Sequence, residues 1–318
     1  MKRILLIGVV ILAFAMTVVG AALPEEYVEE VGVGDAAGLF IHNVPDASQP
    51  PSNTLHFHSV DNWCAPLAAA NSIVFLDLVV KFDWAHGVTR GLDPRELSEY
   101  LGYFMATNGE GSPDRENAQQ GVPGTLSEDI GPGILDFAVW DGHQLPDVPA
   151  LEKEQVKWQA VHLGQRVDDE LLFTLLGEFI YQAGVPPILS FTYWNPIIVE
   201  KEEIGEEKVL TYFAECGEPI ASTQELRPEK PEEEKKSEVP VEYWKGSVGH
   251  AVTAMGFLEG DPDGSGPLPD TRWVIVHDNW ASTPENLAIP WENIKGIVFF
   301  GGEPLFELLR DIQHKAEG

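Results

Sequence analysis

The chain has 318 residues, 44% of them hydrophobic and nine of them Trp, which is enough apolar material for a sizeable core and argues against wholesale disorder. Lys and Arg number 20 against 51 Asp and Glu, a formal net charge of −31. Phosphate needs cations to neutralise it, so this balance argues against a nucleic-acid-binding face and against polybasic docking on anionic lipid. A solvated acidic surface, tolerant of neutral or cationic partners, fits it.

Residues 1–22 begin with Lys2 and Arg3 and run uncharged and mostly apolar from Ile4 to Ala22, ending in Gly20, Ala21 and Ala22. This is the pattern of a cleaved secretory signal. At roughly 20 residues the run is also almost long enough for a retained N-terminal anchor. Both readings export the rest of the chain, because the cations precede the run and Glu25, Glu26, Glu29 and Glu30 follow it. The expected location is therefore secreted or cell-surface. No second run of that length exists, so the body is not a polytopic membrane protein. The two cysteines, Cys64 and Cys216, are too few for a disulfide scaffold. In an oxidising compartment they can still pair, and a bridged Cys64 is no nucleophile.

Residues 23–50 read as an extended acidic lead-in packing on the body. Cys64 to Val80 is rich in Ala and large apolar residues and predicts a buried helix, with Pro66 tolerated in its first turn. Asp93-Pro94 opens a helix to about Met105, with Asp93 as its cap. Thr107 to Gly124 reads as a surface loop. Leu126 to Trp140 carries a further helix whose start is broken by Gly131-Pro132-Gly133. Asp168 to Ala183 has apolar residues at helical spacing and acids in its first turn. Pro187 to Tyr193 then reads as a strand, as do His250–Phe257, Trp273–His277 and Gly296–Phe300. Residues 201–243 form a Glu/Pro/Lys-rich, solvated and mobile insertion, and residues 311–318 a tail. Helices first and strands later predict an α+β domain over residues 51–310, a helical part packed on an antiparallel sheet.

Three short segments carry the chemistry. Asp61-Asn62-Trp63-Cys64-Ala65-Pro66 puts a cysteine at a helix start, where unpaired N–H groups favour thiolate over thiol. Gly249-His250-Ala251-Val252 puts a histidine on a strand, able to take the thiol proton and return it to a leaving amine. Val276-His277-Asp278-Asn279-Trp280 ends the next strand, where a carboxylate or amide can fix the histidine tautomer. Singly, a cysteine is more often a small buried hydrophobe, a histidine structural, and Asp-Asn a turn. Their order and context point to Cys64, His250 and Asp278 as a triad.

This arrangement resembles the papain-like cysteine peptidases, within them the branch related to bacteriocin leader peptidases and their secreted stand-alone relatives. In that branch Cys-Gly-Pro opens the helix, and here Cys64-Ala65-Pro66 stands there. The family histidine sits in Gly-His-Ala-Val, here Gly249 to Val252, and the third residue precedes a Trp or Pro, here Asp278 before Trp280. The resemblance covers roughly Ser52 to Phe300, interrupted by the acidic insertion. It implies a papain-like fold and a thiol hydrolase that acts on a peptide or protein substrate and needs no cofactor. It departs from the family at His58, where a Gln six residues before the cysteine usually donates to the oxyanion. Histidine can donate a hydrogen bond, and Asn62 is a second candidate donor at a different spacing. Loss of such a donor costs other hydrolases roughly 2.7–4 kcal/mol of transition-state stabilisation. Two alternatives stay open beside the peptidase: an inactive papain-like module that binds a partner at the cell surface, and a transglutaminase-like acyl transferase with the same Cys, His, Asp order.

Two metal readings rank lower. His56, His58 and Cys64 combine N and S donors, without a Cys-x-x-Cys or His-Glu-x-x-His pattern to support zinc. Asp261, Asp263 and Ser265 alternate oxygens as in a calcium loop, but Arg272 stands where a terminal Glu would close it, and a polar turn between strands accounts for them. The remaining Trp residues read mainly as core.

Overall fold

The computed structural model describes residues 27–48, 62–140, 157–164, 166–192, 194–219, 249–260, 272–279 and 283–317. The segment read as signal or anchor lies outside them, as do His56, His58, Asp261, Asp263, Ser265 and Trp280. No helix among the described residues is long and apolar enough to cross a membrane.

The acidic lead-in contributes a hairpin, β1 (Val28–Val33) and β2 (Ala36–Ile41). Helix α1 (Cys64–Val74) buries every residue from Ala65 to Val74 and then widens into a π-helical turn over Phe75–Val79. Such a helix has protein on all sides. Its small residues let the sheet approach closely enough for the Thr253 hydroxyl to donate to the Ala68 carbonyl at 3.1 Å. Helix α2 (Pro94–Phe104) starts as predicted, with Asp93 accepting from the N–H groups of Arg95 and Glu96 while Glu96 reaches back to the Asp93 N–H.

The segment read as a surface loop contains the short helix α3 (Glu116–Gln120), held because buried Asn117 bonds the carbonyls of Ala106, Val122 and Gly124. Helix α4 (Ser127–Val139) runs unbroken through Pro132. The expected break does not occur because the flanking glycines serve packing: a Cβ on Gly133 would overlap Met105, and Gly131 faces Ala160 and Val298 of the sheet. The Pro132 carbonyl is held by the Arg115 guanidinium at 2.9 Å.

Strand β3 (Trp158–Gly164) precedes α5 (Asp169–Ala183), which Asp168 caps and Gly184 ends with φ of +54°. Then come β4 (Ile188–Thr192), β5 (Trp194–Ile204) and β6 (Val209–Pro219). The β5–β6 pair corrects the mobile-insertion expectation for residues up to 219: cross-strand pairing from Ile204↔Val209 out to Trp194↔Pro219, with two register shifts, makes it an ordered hairpin, while residues 220–243 lie outside the described residues. Strands β7 (Gly249–Glu259), β8 (Arg272–His277), β9 (Leu287–Pro290) and β10 (Ile294–Gly302) follow, and α6 (Phe306–Glu317) ends the chain. The expected tail is thus the end of a helix that buries Leu309 and Ile312.

The sheet runs β3-β10-β4-β7-β8-β9-β6-β5, antiparallel except where β6 meets β9, and β2 adds β1 beside the C-terminal half of β7. The architecture is α+β, with a helical part on a large, mostly antiparallel sheet. Strand β7 pairs with β4 near its start, with β8 and β2 further on, and packs against α1.

Candidate active site

Cys64 is placed by its neighbour. Trp63 is fully buried, its indole N–H donates to the Ser98 carbonyl at 3.0 Å, and its ring lies over Gly102 of α2, where any Cβ would overlap it. The first turn of α1 is thereby fixed on α2, and Cys64 is its first residue. Cys64 is partly buried and its thiol is free, and the side chain of Cys216 lies outside the described residues.

The helix-start position predicts a lowered thiol pKa, and the structure corrects this. Burial pushes the Cys64 thiol up, and the backbone N–H groups of Ala251, Ala65 and Cys64 that bond the sulfur offset it only in part. The resting group is the neutral thiol.

His250 sits on β7 opposite Phe191 of β4 and is buried. Its Nε2 lies 2.7 Å from the backbone carbonyl of Asp278. A carbonyl only accepts, so the neutral ring carries its proton on Nε2 and its lone pair on Nδ1. Burial lowers the imidazole pKa to about 4, with the carbonyl bond acting in the opposite sense. The Phe191 ring meets the imidazole nearly edge-on, with centroids 5.5 Å apart.

Asp278 follows β8 and is buried, next to His250 as the sequence order suggested. The group bonded to the imidazole is its main-chain carbonyl, while its carboxylate accepts from the Thr283 hydroxyl. The contact expected of the side chain is thus made by the backbone, one residue past the end of β8.

The next residue, Asn279, has the wider structural reach. It is fully buried in a left-handed conformation with φ of +64°. Its Nδ2 faces the carbonyls of Ala251 at 3.3 Å and Cys64 at 3.5 Å, and its Oδ1 accepts from Asn71 Nδ2 at 3.0 Å. One amide therefore joins α1 to the strand that carries His250. Sequence reasoning had Asn279 in its third segment and gave it no such task. A signal was present, since Asn tolerates positive φ and Asn71 is a polar residue in an otherwise apolar helix.

Cys64, His250 and Ala251 line one cleft of about 270 Å³ together with Asn62, residues 123–125 and Lys295. Asn62, the second candidate oxyanion donor, has φ of +62° and lines the same cleft as Cys64, whereas His58 falls outside the described residues. The volume is near the lower bound of about 300 Å³ for ligand pockets. Among the described residues, no group of three or more His, Cys, Asp or Glu is arranged to hold a metal ion. No protein-family model matches the chain, and no curated protein matches it.

Proposed function

We propose that the protein is an exported, papain-like thiol hydrolase that cleaves amide bonds, most directly those of peptides. The observation that carries the reading is the shared cleft: a free cysteine at a helix start and a histidine of fixed tautomer line one cavity. Cys64 Sγ attacks the acyl carbon while its proton passes to the Nδ1 lone pair of His250. The imidazolium is stabilised by its Nε2–H bond to the Asp278 carbonyl. The backbone N–H of Cys64, with Asn62 or His58, holds the oxyanion. As the carbon–nitrogen bond breaks, His250 returns the proton to the leaving amine and a thioester remains. Water attacks that thioester, His250 takes its proton, and the carboxylic acid leaves with the thiol restored. Resolution by an amine instead of water is the acyl-transferase variant.

The second reading is a binding module on a papain-like scaffold. It is favoured by the burial that keeps both Cys64 and His250 neutral, since neither group is poised in the resting protein. Incubation with a peptide library, followed by mass spectrometry of the products, separates the two. The hydrolase predicts turnover that Cys64→Ala and His250→Gln abolish while the fold survives. The module predicts no turnover in any form and peptide capture that Cys64→Ala retains.

A further inference from the structure

The described lining of the cleft beside Cys64 differs in charge from the chain as a whole. The chain carries 51 acidic residues, yet no Asp or Glu is among the described residues that line this cleft. Its lining includes one Lys and no Arg, and that residue, Lys295, is exposed. Lys295 forms no ion pair among the described residues, a state it shares with other exposed cations such as Lys81 and Lys208, but it is the cation that lines this cleft. A repulsive acidic surface with one uncompensated cation in a concave site favours anions there and disfavours them elsewhere.

The backbone gives Lys295 its place. Strand β10 pairs Ile294 with Phe191 and Gly296 with Ser190, so the register shifts at Lys295. A bulge of this kind re-aims a side chain and is found beside binding sites. Phe191 also pairs with His250, so Ile294, Phe191 and His250 form one row across three strands. At about 4.8 Å per strand, the row puts Lys295 roughly 10 Å from the His250 backbone. An extended chain advances about 3.3 Å per residue, so this distance corresponds to about three residues of a bound peptide.

We infer that Lys295 is a specificity-determining residue that receives a carboxylate of the bound peptide, carried within about three residues of the amide facing Cys64. The inference rests on the thiol-hydrolase reading and names its substrate class: acidic peptides, the carboxylate being an Asp or Glu side chain or a free C-terminus.

The test is protection of Cys64 in the full chain from iodoacetamide, read by mass spectrometry. The protectants are three acetylated tripeptides: one with Glu and an amidated end, one with no acidic side chain and a free C-terminus, and one with neither. Protection by one or both carboxylate peptides, exceeding that by the neutral one up to roughly fivefold and weakening with salt, is the expected result. The more protective of the first two identifies the source of the carboxylate. Lys295→Met should equalise the three peptides, and Lys295→Glu should favour the neutral one. Equal protection by all three, no protection by any, or a preference that survives Lys295→Met overturns the inference. The parent reading is judged separately by turnover in the peptide library, so a hydrolase without carboxylate preference is recognisable as such.

Discussion

His250 donates from Nε2 to the main-chain carbonyl of Asp278 over 2.7 Å. A carboxylate in that position would change the charge of the pair, whereas a carbonyl fixes the tautomer and adds only a dipole. The ¹⁵N shifts of the His250 ring at neutral pH should therefore report a protonated Nε2 and an unprotonated Nδ1. Asp278→Asn leaves the carbonyl in place and should preserve that pattern. The opposite tautomer in the wild type, or a switch in Asp278→Asn, would assign the orienting role to the carboxylate after all.

The same burial makes His250 a determinant of acid stability. Its folded pKa is about 4 against 6.5 for the unperturbed group, so between these values the unfolded chain takes up a proton that the folded one refuses. The unfolded state binds more protons in that window, and stability falls as pH falls. The shift corresponds to about 3 kcal/mol, lost progressively from pH 6.5 down to about 4. Urea unfolding across this range should show a loss that is smaller by about that amount in His250→Gln. Parallel pH profiles for wild type and variant would show that His250 titrates normally in the fold.

Asn279 joins α1 to β7 through the carbonyls of Cys64 and Ala251 and the amide of Asn71. Asn279→Ala leaves buried polar groups unmatched and should cost about 1–3 kcal/mol in urea unfolding. Asn71→Ala removes one of the same bonds. The double variant should cost less than the sum of the two, because the residues act on one network. Strict additivity would mean that Asn279 and Asn71 act independently and that the bond between them carries no coupling.

Much of the site was legible from residue order, because a helix start and two strand ends are local signals. Cys64 at a helix N-terminus, His250 on a strand and Asp278 after the next strand follow from apolar runs bounded by polar residues. Group choice within a residue was not legible: that Asp278 offers its carbonyl depends on how the backbone past β8 meets β7 in three dimensions. Nor was the sign of the Cys64 shift, since the helix-end effect is local while burial arises only from tertiary packing. In α4 the glycines around Pro132 signal close packing as readily as a break, and only Met105 and Ala160 decide between them. The β5–β6 hairpin was hidden by charged residues such as Lys201, Glu202 and Glu203, which on an exposed strand pair through backbone alone. Helix α6 includes the residues from 311 onward read as a tail, although its apolar residues have helical spacing.

Trp63 and Gly102 set the start of the cysteine helix by direct packing, with no room for a methyl group between indole and backbone. Gly102→Ala should destabilise the protein by about 1–3 kcal/mol through overpacking, despite the higher helix propensity of Ala. Displaced Trp63 would also move Cys64, so the iodoacetamide rate at Cys64 should change in this variant. An unchanged rate with lowered stability would place the adjustment in α2 alone.

The resting state of Cys64 makes the final distinction. Burial raises the thiol pKa while His250 stays neutral down to about pH 4, so the pair carries one titratable proton, on sulfur, across the whole neutral range. Labelling of Cys64 by iodoacetamide requires thiolate, and its rate should climb through pH 9 without a plateau between pH 5 and 8. Turnover obeys a different rule, because proton transfer to His250 can accompany attack on a bound substrate. The value of kcat/KM should therefore stay level from an acid limb near pH 4 to an alkaline limb above the thiol pKa. Labelling that already saturates near pH 6 would instead show a preformed thiolate–imidazolium pair.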